Sequence, residues 1–314
     1  MLPRIAVLLP LVMGSIATAV GWPVMAQTVP PQQTAPGGTA GVGRQAANDP
    51  ARPRSHAGTT LQQRQEARLY AALRLPDLLE VMRDEGVDYG KALADQLFPG
   101  DDGPAWQATV RRIYDPRRMT ELFEGAFGPR MSDRDRHAAL VFLTSPLGRR
   151  IVGLEISARR ALLDPDVEAE AEARLKAMAA HKDPRLALLR RFAEANGLVE
   201  ANVAGALNAN FAFYTGLADG HAPGLDFDRD QILAEVAHQQ EEVRRETRGW
   251  LYPFLATAYA PLSDDELHRY IEFSQSPAGK SLNRALFASF DVMFNHISHD
   301  LGLAAAGMLG SENL

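Results

Sequence analysis

Ser132-Asp133-Arg134-Asp135-Arg136-His137 leads into Phe142-Leu143-Thr144-Ser145-Pro146-Leu147-Gly148-Arg149. The same plan returns at Ser263-Asp264-Asp265-Glu266-Leu267-His268 and Phe273-Ser274-Gln275-Ser276-Pro277-Ala278-Gly279-Lys280. Each stretch reads as a helix start, a run of apolar residues at helical spacing, and a second helix start. Ser263 and Glu266 have the form of a capping box, in which side chains at the two ends satisfy each other's orphan amides. Ser145 and Ser276 suit the N-cap. Pro146 and Pro277 suit the first helical position, where a missing N–H costs nothing. Gly148 and Gly279 leave room for another backbone to come close. Both stretches therefore predict a tight helix–helix corner, and 131 residues separate Ser145 from Ser276 and His137 from His268.

The pattern extends outward. Leu78-Leu79-Glu80 pairs with Leu198-Val199-Glu200 at a separation of 120 residues. The shortfall of 11 residues against the corner spacing is assigned to a longer loop over 216–228. Apolar residues at i, i+3, i+4 and i+7 spacing continue from Leu61 to the end of the chain. Pro99-Gly100-Asp101-Asp102-Gly103 breaks that pattern, as does Asp115-Pro116, where proline cannot donate to the helix ladder. Alternating β-branched runs are absent, as are a glycine-rich phosphate loop and a nucleophile elbow. The expected fold is all-α, with two tandem, internally duplicated helical units. The first spans 61–182, including a Glu/Ala-rich joining helix over 166–180, and the second spans 183–314.

The beginning of the chain differs. Arg4, the apolar run Ile5–Met13 and the small residues that follow form a signal peptide over 1–26. Cleavage is expected after Val24-Met25-Ala26, with Ala17-Thr18-Ala19 as the second site. Residues 27–60, with Pro30-Pro31 and Pro36-Gly37-Gly38, hold almost nothing to bury and read as a disordered linker. No twin arginine is present, so the general secretory route and a periplasmic location are expected. No later stretch is long and apolar enough to span a bilayer. The 314 residues carry a net charge of −6 and no cysteine. The charge argues against a nucleic-acid partner. The missing cysteine excludes disulfides and thiolate chemistry. No cofactor is expected.

On Phe142, Ser145, Pro146 and Gly148, and again on Phe273, Ser276, Pro277 and Gly279, the chain resembles a bacterial envelope family, domain-of-unknown-function family 2059. In that family a polar helix start leads to an aromatic residue and then a Ser-Pro-x-Gly junction. The match covers the junction and its flanking helices in each half. Leu143 and Ser274 stand where that family often has tyrosine, and its usual single domain is doubled here. The resemblance implies helical structure and export. It implies no activity.

Candidate functional groups are few. Asp133 and His137, and Asp264 and His268, each sit four residues apart on one helix face, where a carboxylate and an imidazole can ligate a metal or share a proton. His296 and His299, with Asp300 adjacent, form a second polar or metal candidate. Arg149 and Lys280 stand where a helix N-terminus could help them hold an anion. Arginine pairs at Arg111-Arg112, Arg149-Arg150, Arg159-Arg160, Arg190-Arg191 and Arg244-Arg245 read as lacing solvated faces with the many acids. Phe211, Phe213, Tyr214, Trp250, Tyr252, Phe254 and Tyr259 read as core, with an interhelical apolar pocket as the alternative. No residue is assigned as catalytic. The function expected is non-enzymatic binding of a cell-envelope protein. An apolar small-molecule carrier is the alternative, and an Asp/His hydrolase the weaker one.

Overall fold

Short polar side chains placed before proline set many of the helix starts. Asp115, Asp164 and Asp183 each precede a proline and each accept a backbone N–H from the first turn that follows. Such N-caps satisfy donors that have no partner inside the helix. The computed structural model describes residues 61–98, 103–223 and 228–311. The signal peptide and linker expected over 1–60 lie outside these residues.

The described chain is all-α, with no strand among the described residues. In order, the helices are α1 (Leu61–Ala72), α2 (Leu75–Leu97), α3 (Pro104–Ile113), α4 (Pro116–Phe127), α5 (Asp133–Leu143), α6 (Pro146–Ala161), α7 (Pro165–Ala180), α8 (Pro184–Ala195), α9 (Leu198–Asp219), α10 (Arg229–His238), α11 (Gln240–Ala258), α12 (Asp264–Gln275) and α13 (Pro277–Ser311). A short 3-10 turn, Gly128–Arg130, follows α4. The helix expected over 166–180 is α7.

The two corners have the same geometry. Ser145 has φ −67° and ψ 160°, and Ser276 has φ −67° and ψ 159°. Each Oγ donates to the carbonyl of the motif phenylalanine at 2.6 Å. Each also accepts the glycine N–H, at 3.0 Å from Gly148 and 3.1 Å from Gly279. A Cβ on either glycine would lie 2.1 Å from that same carbonyl oxygen. The backbone that needs the glycine is therefore that of the helix just ended.

Upstream, the expected register of 120 residues is corrected. α1 and α8 are both 12 residues long, and each passes to the next helix through a left-handed residue. These are Arg74 (φ 51°) and Gly197 (φ 55°), 123 residues apart. In that register Leu75, Leu79, Met82, Gly86, Gly90, Leu93 and Ala94 match Leu198, Asn202, Gly205, Ala209, Phe213, Gly216 and Leu217, and all are buried. The loop expected over 216–228 is also corrected, because α9 runs on through Gly216 to Asp219. Most of the extra length lies in α11, with 19 residues against 12 in α4.

Packing crosses the sequence boundary between the expected units. One hydrophobic cluster joins residues of α1–α5 with α9, α10 and α13. The other joins α8, α11 and α12 with Ile151 and Ala158 of α6. α13 lies along α9 and also packs on α3, α4 and α5, while α6 packs on α2 and α11. The two motif phenylalanines meet between the clusters. Phe142 and Phe273 stack with ring centroids 3.8 Å apart and planes 4° apart. The cores thus do not follow the division 61–182 and 183–314.

Candidate functional site

α9 and α13 run in the same direction and approach closely. Gly216 abuts the carbonyl of His299, and Gly302 that of Phe213, where any Cβ would lie 2.1 Å from the facing oxygen. This contact brings two rows of side chains to the edges of a trough. Asn208, Phe211, Ala212 and Thr215 form one wall, and Val292, Asn295, His296 and His299 the other. Both rows follow i, i+3, i+4, i+7, the spacing of one helix face. The groove is open to solvent and holds about 540 Å³, within the usual range for ligand sites.

Asn208, Asn295, Thr215 and His299 are each held by a hydrogen bond or a close pair. Asp291 accepts a hydrogen bond from Asn208 Nδ2 at 2.9 Å and another from Asn295 Nδ2 at 3.3 Å. Burial pushes the Asp291 carboxyl up from its ordinary range, and the two amides oppose that shift. Asp219 Oδ2 lies 2.9 Å from His299 Nε2. Thr215 donates its hydroxyl to the Phe211 carbonyl at 2.8 Å. The Arg229 guanidinium sits 5.8 Å from the centre of the Phe211 ring. A first layer fixed by a second is the construction that preorganised sites require. His296 and His299 were legible as a pair. The α9 wall was not, because nothing local in the sequence says which helix lies beside them.

The other paired histidines are not assembled with their carboxylates. Asp133 accepts from Arg136 Nη1 at 2.6 Å, and His137 is exposed. Asp264 is held by Arg185, while His268 Nδ1 lies 2.7 Å from the backbone oxygen of Asp264. Both acids are satisfied by arginines because a guanidinium is always charged and offers several donors. The metal role considered for these pairs and for His296 and His299 is not supported. Among the described residues no group of three or more His, Cys, Asp or Glu side chains could hold a metal ion. The anion candidates are surface side chains. Arg149 is exposed and donates to the Thr144 carbonyl at the corner, and Lys280 is exposed on α13.

The arginine pairs divide. Arg244 and Arg245 bind Glu200, Glu241 and Glu242 near the surface as expected. Arg159 instead is buried, and forms two parallel 2.7 Å hydrogen bonds to Glu85. Arg136 is likewise buried, donating to the carbonyls of Gly128 and Met131.

A fully buried acid also escaped the sequence reading. Glu155 Oε1 accepts from Tyr259 OH at 2.7 Å and Tyr270 OH at 3.0 Å. Its Oε2 is buried without a hydrogen-bond partner. Desolvation pushes the carboxyl up to about 8, against the pull of the two tyrosines. Burial favours the neutral acid, whose Oε1 still accepts from both tyrosines. Phe213, Phe254 and Tyr259, which could have lined an apolar pocket, are buried in the two cores.

Comparison with known proteins finds no family model, curated protein or solved structure that matches the chain.

Proposed function

We propose that this is an exported, non-enzymatic binding protein of the bacterial cell envelope, built from one duplicated helical unit, whose working surface is the groove between α9 and α13. The observation that carries the binding role is the clamped polar lining of that groove. Freely rotating surface side chains lose rotamer entropy when a ligand orders them, and side chains already fixed lose less. Here Asp291, Asp219 and Arg229 do the fixing.

Export is supported by the signal-like residues 1–26 and by the resemblance to domain-of-unknown-function family 2059. No helix among the described residues is long and apolar enough to cross a membrane. The duplication is supported by the two matching corners and by the shared order of α1–α6 and α8–α13. Against an acid–base enzyme stand Asp133 and Asp264, each committed to an arginine.

Thr215→Trp tests the binding role by filling the groove from its exposed side. Expressed in a strain lacking the native gene, the folded variant is expected to fail to complement. Full complementation by an abundant variant would refute the groove as the working surface. Intact-mass measurement of the periplasmic fraction is expected to give a mature chain beginning at Gln27. Recovery only of the full-length chain from the cytoplasm would refute export.

A further inference from the structure

Two turns of the chain hold an arginine in the same way. The turn after α4 passes through Gly128 and Met131 to Asp133, the first residue of α5. The turn after α11 passes through Tyr259 and Leu262 to Asp264, the first residue of α12. In the first turn, Arg136 Nη2 donates to the carbonyls of Gly128 and Met131 at 3.1 and 3.0 Å, and Nη1 donates to Asp133 at 2.6 Å. In the second, Arg185 Nη2 donates to the carbonyls of Tyr259 and Leu262, both at 2.6 Å, and Nη1 donates to Asp264. Each acceptor in one turn lies 131 residues from its counterpart in the other. The three acceptors match one for one, and so do the nitrogens that reach them.

The arginines themselves do not match. Arg136 belongs to α5, and the residue 131 positions further on is Leu267, which is buried. Arg185 belongs to the first turn of α8, and the register that aligns Arg74 with Gly197 sets it opposite Gln62 of α1. What the two turns share is therefore the set of acceptors, filled from different helices. That set selects its ligand. Gly128 and Tyr259 are the C-caps of α4 and α11, where the helix dipole favours a cation. A carboxylate stands beside two carbonyls, and all three groups only accept. A planar guanidinium fork serves the three together, whereas an ammonium is a point charge without that geometry.

We infer that the turn between α11 and α12 is a guanidinium-binding site, filled in the folded chain by Arg185 and open to a free alkylguanidinium once that side chain is removed. The Arg185 side chain is 20% exposed, against 1% for Arg136, so the α11 turn is the one a solute reaches. The atoms lost in Arg185→Ala are those of ethylguanidinium, which is the probe. Ethylammonium is the control, and both are used at millimolar concentration, well below any denaturing effect. Binding to the full mature chain is read by calorimetry and by the melting temperature. Arg185→Ala is expected to lower that temperature by roughly 5 °C. Ethylguanidinium is expected to bind the variant and restore part of the loss, and to leave the wild type, whose site is filled, unchanged. Ethylammonium is expected to do neither. Arg185→Lys keeps the charge without the fork and is expected to melt closer to the alanine variant than to the wild type. Equal rescue by the two cations, an equal effect of ethylguanidinium on wild type and variant, or a lysine or alanine variant that melts with the wild type overturns the inference. If Arg185→Ala does not fold, ethylguanidinium present during refolding is expected to recover the helical chain, and its failure to do so counts equally against the site.

Discussion

Ser276 performs two jobs with one oxygen. It donates to the Phe273 carbonyl near the end of α12 and accepts the Gly279 N–H in the first turn of α13. Ser276→Ala removes both and is expected to cost about 1 kcal/mol, the usual loss of an N-cap. Gly279→Ala is expected to cost more, about 3 kcal/mol, because its Cβ meets backbone and no flexible side chain can yield. Thermal unfolding orders the two, and an alanine at 279 that melts with the wild type would contradict the packing. Glu155 sets a pH dependence. Its carboxyl is raised from an ordinary 4.5 to about 8. Between those values the folded protein holds a proton that the unfolded chain releases. Its contribution is full below the unfolded value and is lost as pH rises through the folded one. Glu155→Gln keeps an oxygen for Tyr259 and Tyr270 but cannot titrate. The stability difference between wild type and variant is expected to change by up to about 1.4 kcal/mol per pH unit between pH 5 and 8. Denaturant melts at several pH values check this, and parallel curves would show that Glu155 is ionised in the fold.

At the scale of elements, α6 is fastened twice. Glu155 ties it to α11 and α12, and Arg159 ties it to Glu85 of α2. Glu85→Ala deprives a buried guanidinium of its carboxylate and is expected to cost roughly 3 kcal/mol, whereas a surface pair would cost little. A chemical-denaturation midpoint unchanged by the substitution would place Arg159 in solvent. Neither tie was legible in the sequence. The corners, the cap at Ser263, the break at Asp115-Pro116 and the joining helix were, because each is decided by residues that are near one another in the sequence. Arg159 looked like half of a surface pair, since arginine is rarely buried without an acid and the acid lies 74 residues away. The register of α9 was missed for a related reason. Leu78-Leu79-Glu80 and Leu198-Val199-Glu200 match as letters, but burial aligns Leu75 with Leu198. The α9 wall of the groove was hidden likewise, being set by which helix α13 meets.

Among the described residues the packing crosses the boundary at 182, and that has a consequence for folding. α13 has 35 residues, about 52 Å at 1.5 Å per residue. Only part of its surface is covered by its own half. Phe290 packs on Phe123 of α4 with ring centroids 4.8 Å apart, and Asp300 binds Arg118 of α4. Reciprocally, Ile151 and Ala158 of α6 complete the core of α8, α11 and α12, and the Glu155 acceptor for Tyr259 and Tyr270 comes from the same helix. A chain cut at 182 would expose an apolar face on α13 and remove the Glu155 acceptor shared by Tyr259 and Tyr270, a loss of order several kcal/mol. That is comparable to the whole stability of an ordinary domain. The fragment 183–314 alone is therefore expected to lack a cooperative thermal transition and to bind a hydrophobic dye. Mixed with 61–182, it should regain both cooperativity and the Tyr259–Glu155 contact. Circular dichroism melts of each fragment and of the mixture decide the matter. If 183–314 melts cooperatively by itself at the temperature of the intact chain, the halves are independent domains, and the contacts of α6 and α13 across the boundary add little to stability.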